Sequence, residues 1–250
     1  MTLVTDLRMG LTKNPRANST IIPCVTWSVL EIARRRQLAE QLTASISRHS
    51  LSKSATYNIR DITELGLMKS LLAETVRLRT AAIEVHKSQQ DLRLSNEWTV
   101  PKDNPIITLW HDVALNTKAW GKARSRTIEQ PLENFWPERF LLYDHKGSRS
   151  APTTSQSSSS FSMDGLESLH IRAGSGHQPL LGSEYASMMH AATLAILLNE
   201  FEVQLCEDEY FDAVLPPARE LSFGMLQPLD KVALRIRKQT FAGAEATRKL

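Results

Sequence analysis

Apolar residues recur at helical spacing in three stretches of the chain. In the first, Trp27, Leu30, Leu38, Leu42 and Ile46 form one stripe with Ala33 between them, which predicts a single helix from about Thr26 to Arg48. Pro23 lies just ahead, where a proline opens a helix or kinks one already begun. In the second, Leu65, Met68, Leu72 and Val76 share a face, predicting a helix from about Thr63 to Arg79. Asp61 followed by Glu64 has the spacing of a capping box at its start. The third runs from about Ser183 to Phe201, is rich in Ala, Leu and Met, and carries Tyr185, Met188, Met189, Ala192 and Ile196 as its expected core face.

Between the second and third helices the pattern changes. Leu92 to Val100 and Ile106 to Leu109 read as short strands, punctuated by Pro101 and Asn104-Pro105. Leu115 to Phe140 has no clear period and includes Trp120 and Trp136, which predicts a packed irregular segment. Gly147 to Ser162 is Ser/Thr-rich low complexity and is expected to be a disordered surface loop. Near the end, Val232, Leu234 and Ile236 alternate with Ala233 and Arg235 as in a strand. The fold class is therefore mainly α with small β-sheets, in one domain over residues 1–250 with the 147–162 loop inside it.

Composition adds mostly exclusions. The 42% hydrophobic and 23% charged content is that of an ordinary globular chain. A formal charge of +3 over 250 residues gives no basic stripe of the kind nucleic acid requires, so no nucleic-acid partner is expected. Arg34-Arg35-Arg36 is the densest basic run and reads as a solvated helix face. Cys24 and Cys206 form no disulfide framework, which fits a reducing compartment. The N-terminal stretch lacks the apolar core of a signal peptide, and no run approaches the roughly 18 apolar residues of a membrane span. An intracellular chain with no anchor of its own is expected. No Gly-x-Gly-x-x-Gly, Walker loop, Cys-x-x-Cys or His-Glu-x-x-His is present.

Two motifs stand out. Glu74-Thr75-Val76-Arg77 puts a carboxylate and a guanidinium on one helix face. Phe135-Trp136-Pro137-Glu138-Arg139-Phe140 follows on an irregular segment. Together they resemble the cytochrome P450 family, in which such residues form a buried network of one Glu and two Arg. The resemblance assigns that structural role to Glu74, Arg77 and Arg139. Other segments resemble the family too. Asn18 to Trp27 and the helix after it look like the central helix of fungal members. Trp98-Thr99-Val100-Pro101-Lys102, then His111-Asp112 with Trp120, and finally Arg219 to Met225 also look like family segments. The likeness spans Asn18 to Lys238, the central long helix to the C-terminus, and so implies a partial cytochrome P450 fold with haem as cofactor. The family usually resides at the endoplasmic reticulum membrane.

Ala173-Gly174-Ser175-Gly176-His177-Gln178-Pro179-Leu180-Leu181-Gly182 resembles the family's haem loop. Gly174, Gly176 and Gly182 match it. Ala173 stands where an aromatic residue shields the thiolate, Gln178 where a cation holds a haem propionate, and Leu180 where a cysteine binds iron. The cofactor-binding positions by resemblance are thus Gly176, His177, Gln178, Leu180 and Gly182. No metal ligand is expected, because leucine has no lone pair to offer. Cys206 lies beyond the whole third helix, about 30 Å off if that helix is straight. His177 and His170 are nearer, and a histidine-ligated haem would resemble a globin or peroxidase site. Ser19-Thr20 and Thr26 are the hydroxyls near the oxygen-activating part of the central helix, where helix caps are the alternative.

The expected function is a cytochrome P450-like protein without haem-thiolate monooxygenase activity, associated with a fungal secondary-metabolite pathway. Two alternatives stay open. One is an active monooxygenase hydroxylating a small lipophilic substrate, its sequence incomplete or mis-assigned. The other is a non-catalytic binding or scaffold protein. Expected partners are a small lipophilic molecule or a pathway enzyme.

Overall fold

In the computed structural model, which describes residues 15–51, 56–94, 97–143, 159–170, 183–206, 215, 217–218 and 224–239, the first apolar stripe is carried by two helices rather than one. These are α1 (Pro15–Arg34) and α2 (Arg36–Arg48). The chain breaks at Arg35, which is extended (φ −120°, ψ 91°). Neither Gly nor Pro marks the break, and the stripe runs through it: Trp27, Leu30, Leu38, Leu42 and Ile46 are all buried. Pro23 lies inside α1 rather than ahead of it.

After the paired strands β1 (Ser50–Leu51) and β2 (Thr56–Tyr57), the second stripe is also divided, into α3 (Ile59–Glu64) and α4 (Gly66–Arg79). The cap of α3 is Asn58, whose side chain accepts from the Arg60 N–H at 3.1 Å; Asp61 sits in the first turn instead. Gly66 opens α4 because a strand crosses it. A Cβ there would lie 3.0 Å from the Ser159 carbonyl oxygen and 3.3 Å from the Phe161 nitrogen.

A series of short antiparallel pairs follows. β3 (Thr80–Ala81) leads to β4 (Ile83–Lys87), β5 (Leu92–Arg93), β6 (Thr99–Val100) and β7 (Pro105–Leu109). The stretch expected as one strand from Leu92 is thus two strands, and they pair with each other. β7 pairs with β4, Ile83 opposite Leu109 and Val85 opposite Ile107. The irregular segment holds α5 (Trp110–Ala114), α6 (Thr117–Ala123) and tight 3-10 turns at Ser125–Ile128 and Pro137–Phe140. β8 (Leu141–Tyr143) pairs with β9 (Ser159–Phe161). That corrects the Ser-rich segment: its end at 159–162 is ordered against β8, while 147–158 lie outside the described residues. α7 (Ser183–Glu200) runs into β10 (Phe201–Leu205). β10 pairs with β12 (Leu234–Lys238), and β11 (Gly224–Met225) pairs with β3. The architecture is mainly α with small two-stranded sheets.

Two apolar cores form, and α4 belongs to both. Met68 and Leu71 join Leu38, Leu42, Ile62 and Leu194 in the larger core. Ala73 joins Trp120, Leu132, Phe140 and Leu166 in the smaller. Because both flanks of α4 are covered, its buried residues include Ser70, Glu74, Thr75 and Arg77 rather than a simple apolar stripe. α7 is apolar all round, so its period does not select a face. It buries His190, Ala191, Leu194, Ala195 and Leu198, while Tyr185 and Ile196 of the expected core face are 59% and 54% exposed. None of the described helices is long and apolar enough to cross a membrane.

Candidate functional site

α4 and the Pro137–Phe140 turn bring Glu74, Arg77 and Arg139 together, all three side chains sealed from solvent. One turn along α4, Arg77 grips Glu74 with two donors, Nε to Oε2 at 2.8 Å and Nη2 to Oε1 at 2.9 Å. Arg139 Nε donates to Oε1 at 3.2 Å, and the Trp136 N–H donates to the same oxygen at 2.9 Å. The guanidiniums then spend their remaining donors on main-chain carbonyls. Arg77 reaches Ala114 and Leu132. Arg139 reaches Thr127, Gln130, Pro131 and Asn134. Burial pushes the Arg139 pKa down, and the Glu74 charge opposes that. Such a buried cluster persists only when its charges are hydrogen-bonded, and here every guanidinium nitrogen of both arginines has an acceptor. Trp120 lies under Arg77 and Trp136 under Arg139, at 5.6 and 5.3 Å from ring centre to guanidinium carbon. This unit clamps a loop to a helix and has no open face for chemistry.

A second cluster repeats the pattern at the C-terminal end of α1. Glu31, 1% exposed, accepts from Arg35 Nη1 with one oxygen and from Arg79 Nη2 with the other, the latter at 3.0 Å. Arg35 lies over the Phe135 ring at 5.0 Å and Arg79 over the Trp27 ring at 3.9 Å. Trp27 is fixed in turn by its indole N–H, which donates to the Leu226 carbonyl at 2.8 Å. Arg35 therefore departs from the solvated-face reading of the basic run. Arg36, which pairs only with Glu40 at the surface, fits it. The Glu31–Arg35 spacing of four is visible in the sequence, but Arg79 arrives from another helix and gives no local signal.

A third buried polar unit ties α1, α4 and α7. The Thr75 hydroxyl donates to the Leu71 carbonyl at 2.8 Å, so its oxygen accepts from Ser28 at 3.1 Å. Ser28 has then used its proton and accepts from His190 Nε2 at 2.9 Å. The chain of donors places the imidazole proton on Nε2 and leaves the buried Nδ1 lone pair without a partner among the described residues. Burial lowers the His190 pKa to about 4, so the ring is neutral at physiological pH. No local pattern announces it, because an isolated polar residue in an Ala/Leu-rich helix looks like a surface position.

The family model for Cytochrome P450 matches residues 17–233. The chain belongs to the cytochrome P450 family. Among curated relatives, it is 27% identical to cytochrome P450 monooxygenase fsoE of Humicola fuscoatra, over 89% of this chain and 40% of that protein. It is 26% identical to cytochrome P450 monooxygenase efuG of Hormonema carpetanum, over 89% of this chain and 41% of that one. Cytochrome P450 71D15 of Mentha piperita is 26% identical over 46% of the chain. The chain spans about two fifths of the length of the two fungal P450 relatives.

Haem is the cofactor of the P450 family, and the haem-loop positions Gly176, His177, Gln178, Leu180 and Gly182 lie outside the described residues, as do Ala173 and Gly174. The donors that are described do not fit thiolate ligation. Cys24 is buried in α1, and burial pushes its thiol up to about 12, so it carries no thiolate at neutral pH. Cys206 is exposed at the far end of β10, beyond α7. His170 is buried, its ring edge-on to Phe140 at 5.5 Å and its Nε2 donating to the Ala73 carbonyl at 2.9 Å. Of the α1 hydroxyls, the side chain of Ser19 is not described and Thr20 is exposed. Thr26 turns back on its own helix to the Ile22 carbonyl at 2.8 Å.

Proposed function

We propose that this chain is a cytochrome P450 family member that does not act as a haem-thiolate monooxygenase. The observation that carries the reading is Leu180. In the loop that resembles the family's haem segment, no cysteine occurs between Ala173 and Gly182, and the residue at the ligand position ends in methyl groups. A thiolate is what gives this family its oxygen chemistry, by pushing electron density onto iron. Hydrocarbon gives iron nothing. Ala173 and Gln178 support the reading, because the shielding ring and the propionate cation are replaced in the same loop. The retained Glu74 network supports it differently: it holds the fold and needs no cofactor.

The role left to such a chain is binding, of a small lipophilic molecule or of an enzyme in a fungal secondary-metabolite pathway. The two fungal relatives, both named as monooxygenases, support that setting. The apolar face of the β4–β7 pair supports a binding role. Val85 and Ile107 lie opposite one another there, 63% and 61% exposed.

The test is a pyridine haemochrome assay and a carbon monoxide difference spectrum on purified protein. The expected result is sub-stoichiometric haem and no thiolate-type band. Stoichiometric haem with that band overturns the proposal. A triple variant, Ala173→Phe, Gln178→Arg and Leu180→Cys, is expected to gain haem relative to the parent. The second reading, an active monooxygenase, is favoured by the names of the relatives. A sequenced transcript that encodes Leu180 discards it.

A further inference from the structure

We propose that the cleft beside Glu31 binds a small molecule through an oxyanion, either a phosphate or a carboxylate. The cleft has a volume of about 380 Å³ and lies between the end of α1, the end of α4 and the 130–136 loop. That volume falls within the size range of small-molecule sites. Its cations are Arg34, Arg35 and Arg79, against the carboxylates of Glu31 and Glu133.

The hydrogen bonding there is incomplete. Glu31 accepts from Arg35 with one oxygen and from Arg79 with the other. Arg79 Nε is sealed from solvent and has no acceptor among the described residues, while the Arg79 side chain keeps 20% of its surface. Arg34 is exposed at the cleft, and no carboxylate among the described residues is paired with it. Buried donors without acceptors are rare in folded proteins, and a guanidinium fork matches the paired oxygens of phosphate and carboxylate. Rigid supports hold the forks in place: Trp27 under Arg79 and Phe135 under Arg35. The opposite wall is the 130–136 loop, whose backbone is fixed from behind by Arg139. A preset pair of cations on one side and a clamped loop on the other make a formed site rather than a patch of surface charge. Thr20 lies at the other end of α1 from Arg34, about 20 Å along a straight helix.

The experiment is calorimetric titration of the whole chain with inorganic phosphate and, separately, with citrate, at constant ionic strength set by sodium chloride. Trp136 lines the site and Trp27 lies under Arg79, so tryptophan fluorescence serves as a second readout. Expected is one-site saturation by at least one of the two anions. Affinity is expected to fall about tenfold in Arg79→Gln and about threefold in Arg34→Gln, with Arg36→Gln unchanged. Stronger binding of phosphate assigns phosphate esters as the ligand class, and stronger binding of citrate assigns carboxylates. If Arg79→Gln fails to fold, Arg34→Gln decides, because its side chain is exposed and its loss leaves the packing intact. No saturable binding of either anion overturns the proposal. So does equal weakening by Arg34→Gln and Arg36→Gln, which would mean diffuse charge attraction only.

Discussion

Glu74 and Glu31 each hold two arginines, and each arginine leans on an aromatic ring, yet the two clusters lead to different chemistry. At Glu74 all three side chains are sealed, and the arginines finish their hydrogen bonding on six main-chain carbonyls. At Glu31 the carboxylate is sealed but Arg79 and Arg35 keep 20% and 32% of their side-chain surface. There Arg79 Nε has no acceptor among the described residues. What surrounds the ion pair decides what it does. Surrounded by carbonyls, it is a clamp. Bordered by a cleft, the same unit keeps donors in reserve and can hold a ligand.

The contrast is sharpest in stability. Glu74→Ala leaves two guanidiniums buried without a counter-charge, and we expect a loss of about 3–5 kcal/mol, measured from urea midpoints. A loss below that of Glu31→Gln would break the comparison. His190 tests burial without charge pairing. Its folded pKa, near 4, lies below the ordinary 6.5, so over that window the unfolded chain binds the extra proton. Stability is therefore full above about pH 6.5, falls as pH drops towards 4 and levels off below, by about 3 kcal/mol in all. Urea midpoints recorded across that range should lose about one proton's worth of slope in His190→Gln. Glu31→Gln removes two charge-assisted bonds to arginines that keep contact with water, and a smaller loss of about 1–2 kcal/mol is expected in the same urea assay. Arg36→Ala removes a fully solvated pair with Glu40, and its urea midpoint should match the parent. A measurable shift there would show that the basic run acts as a unit.

The first cluster was legible in the sequence and the second was not. Glu74 and Arg77 are one turn apart, and Arg139 sits in a short, distinctive motif, so the resemblance to the P450 family names the residues that meet. Arg79 meets Glu31 only through the packing of α4 on α1, which no local pattern encodes. The helix breaks at Arg35 and Leu65 share a cause, because the apolar stripes run on across both; only Gly66, next to Leu65, marks either one. β4 was missed although Ile83, Glu84, Val85 and His86 alternate as a strand should. The core face of α7 was misplaced because Ala, Leu and Met surround the helix, so only its neighbours select the buried side. The fold class was legible because it depends on periodicity alone.

The 130–136 loop is wired inward through its backbone. Gln130, Pro131, Leu132 and Asn134 give their carbonyl oxygens to Arg77 and Arg139, while the side chains of Gln130, Glu133 and Asn134 face outward to the cleft. Shape and recognition are thus assigned to different atoms of the same residues. Substitutions at those three outward positions can retune what the cleft accepts while the course of the main chain stays where two arginines hold it.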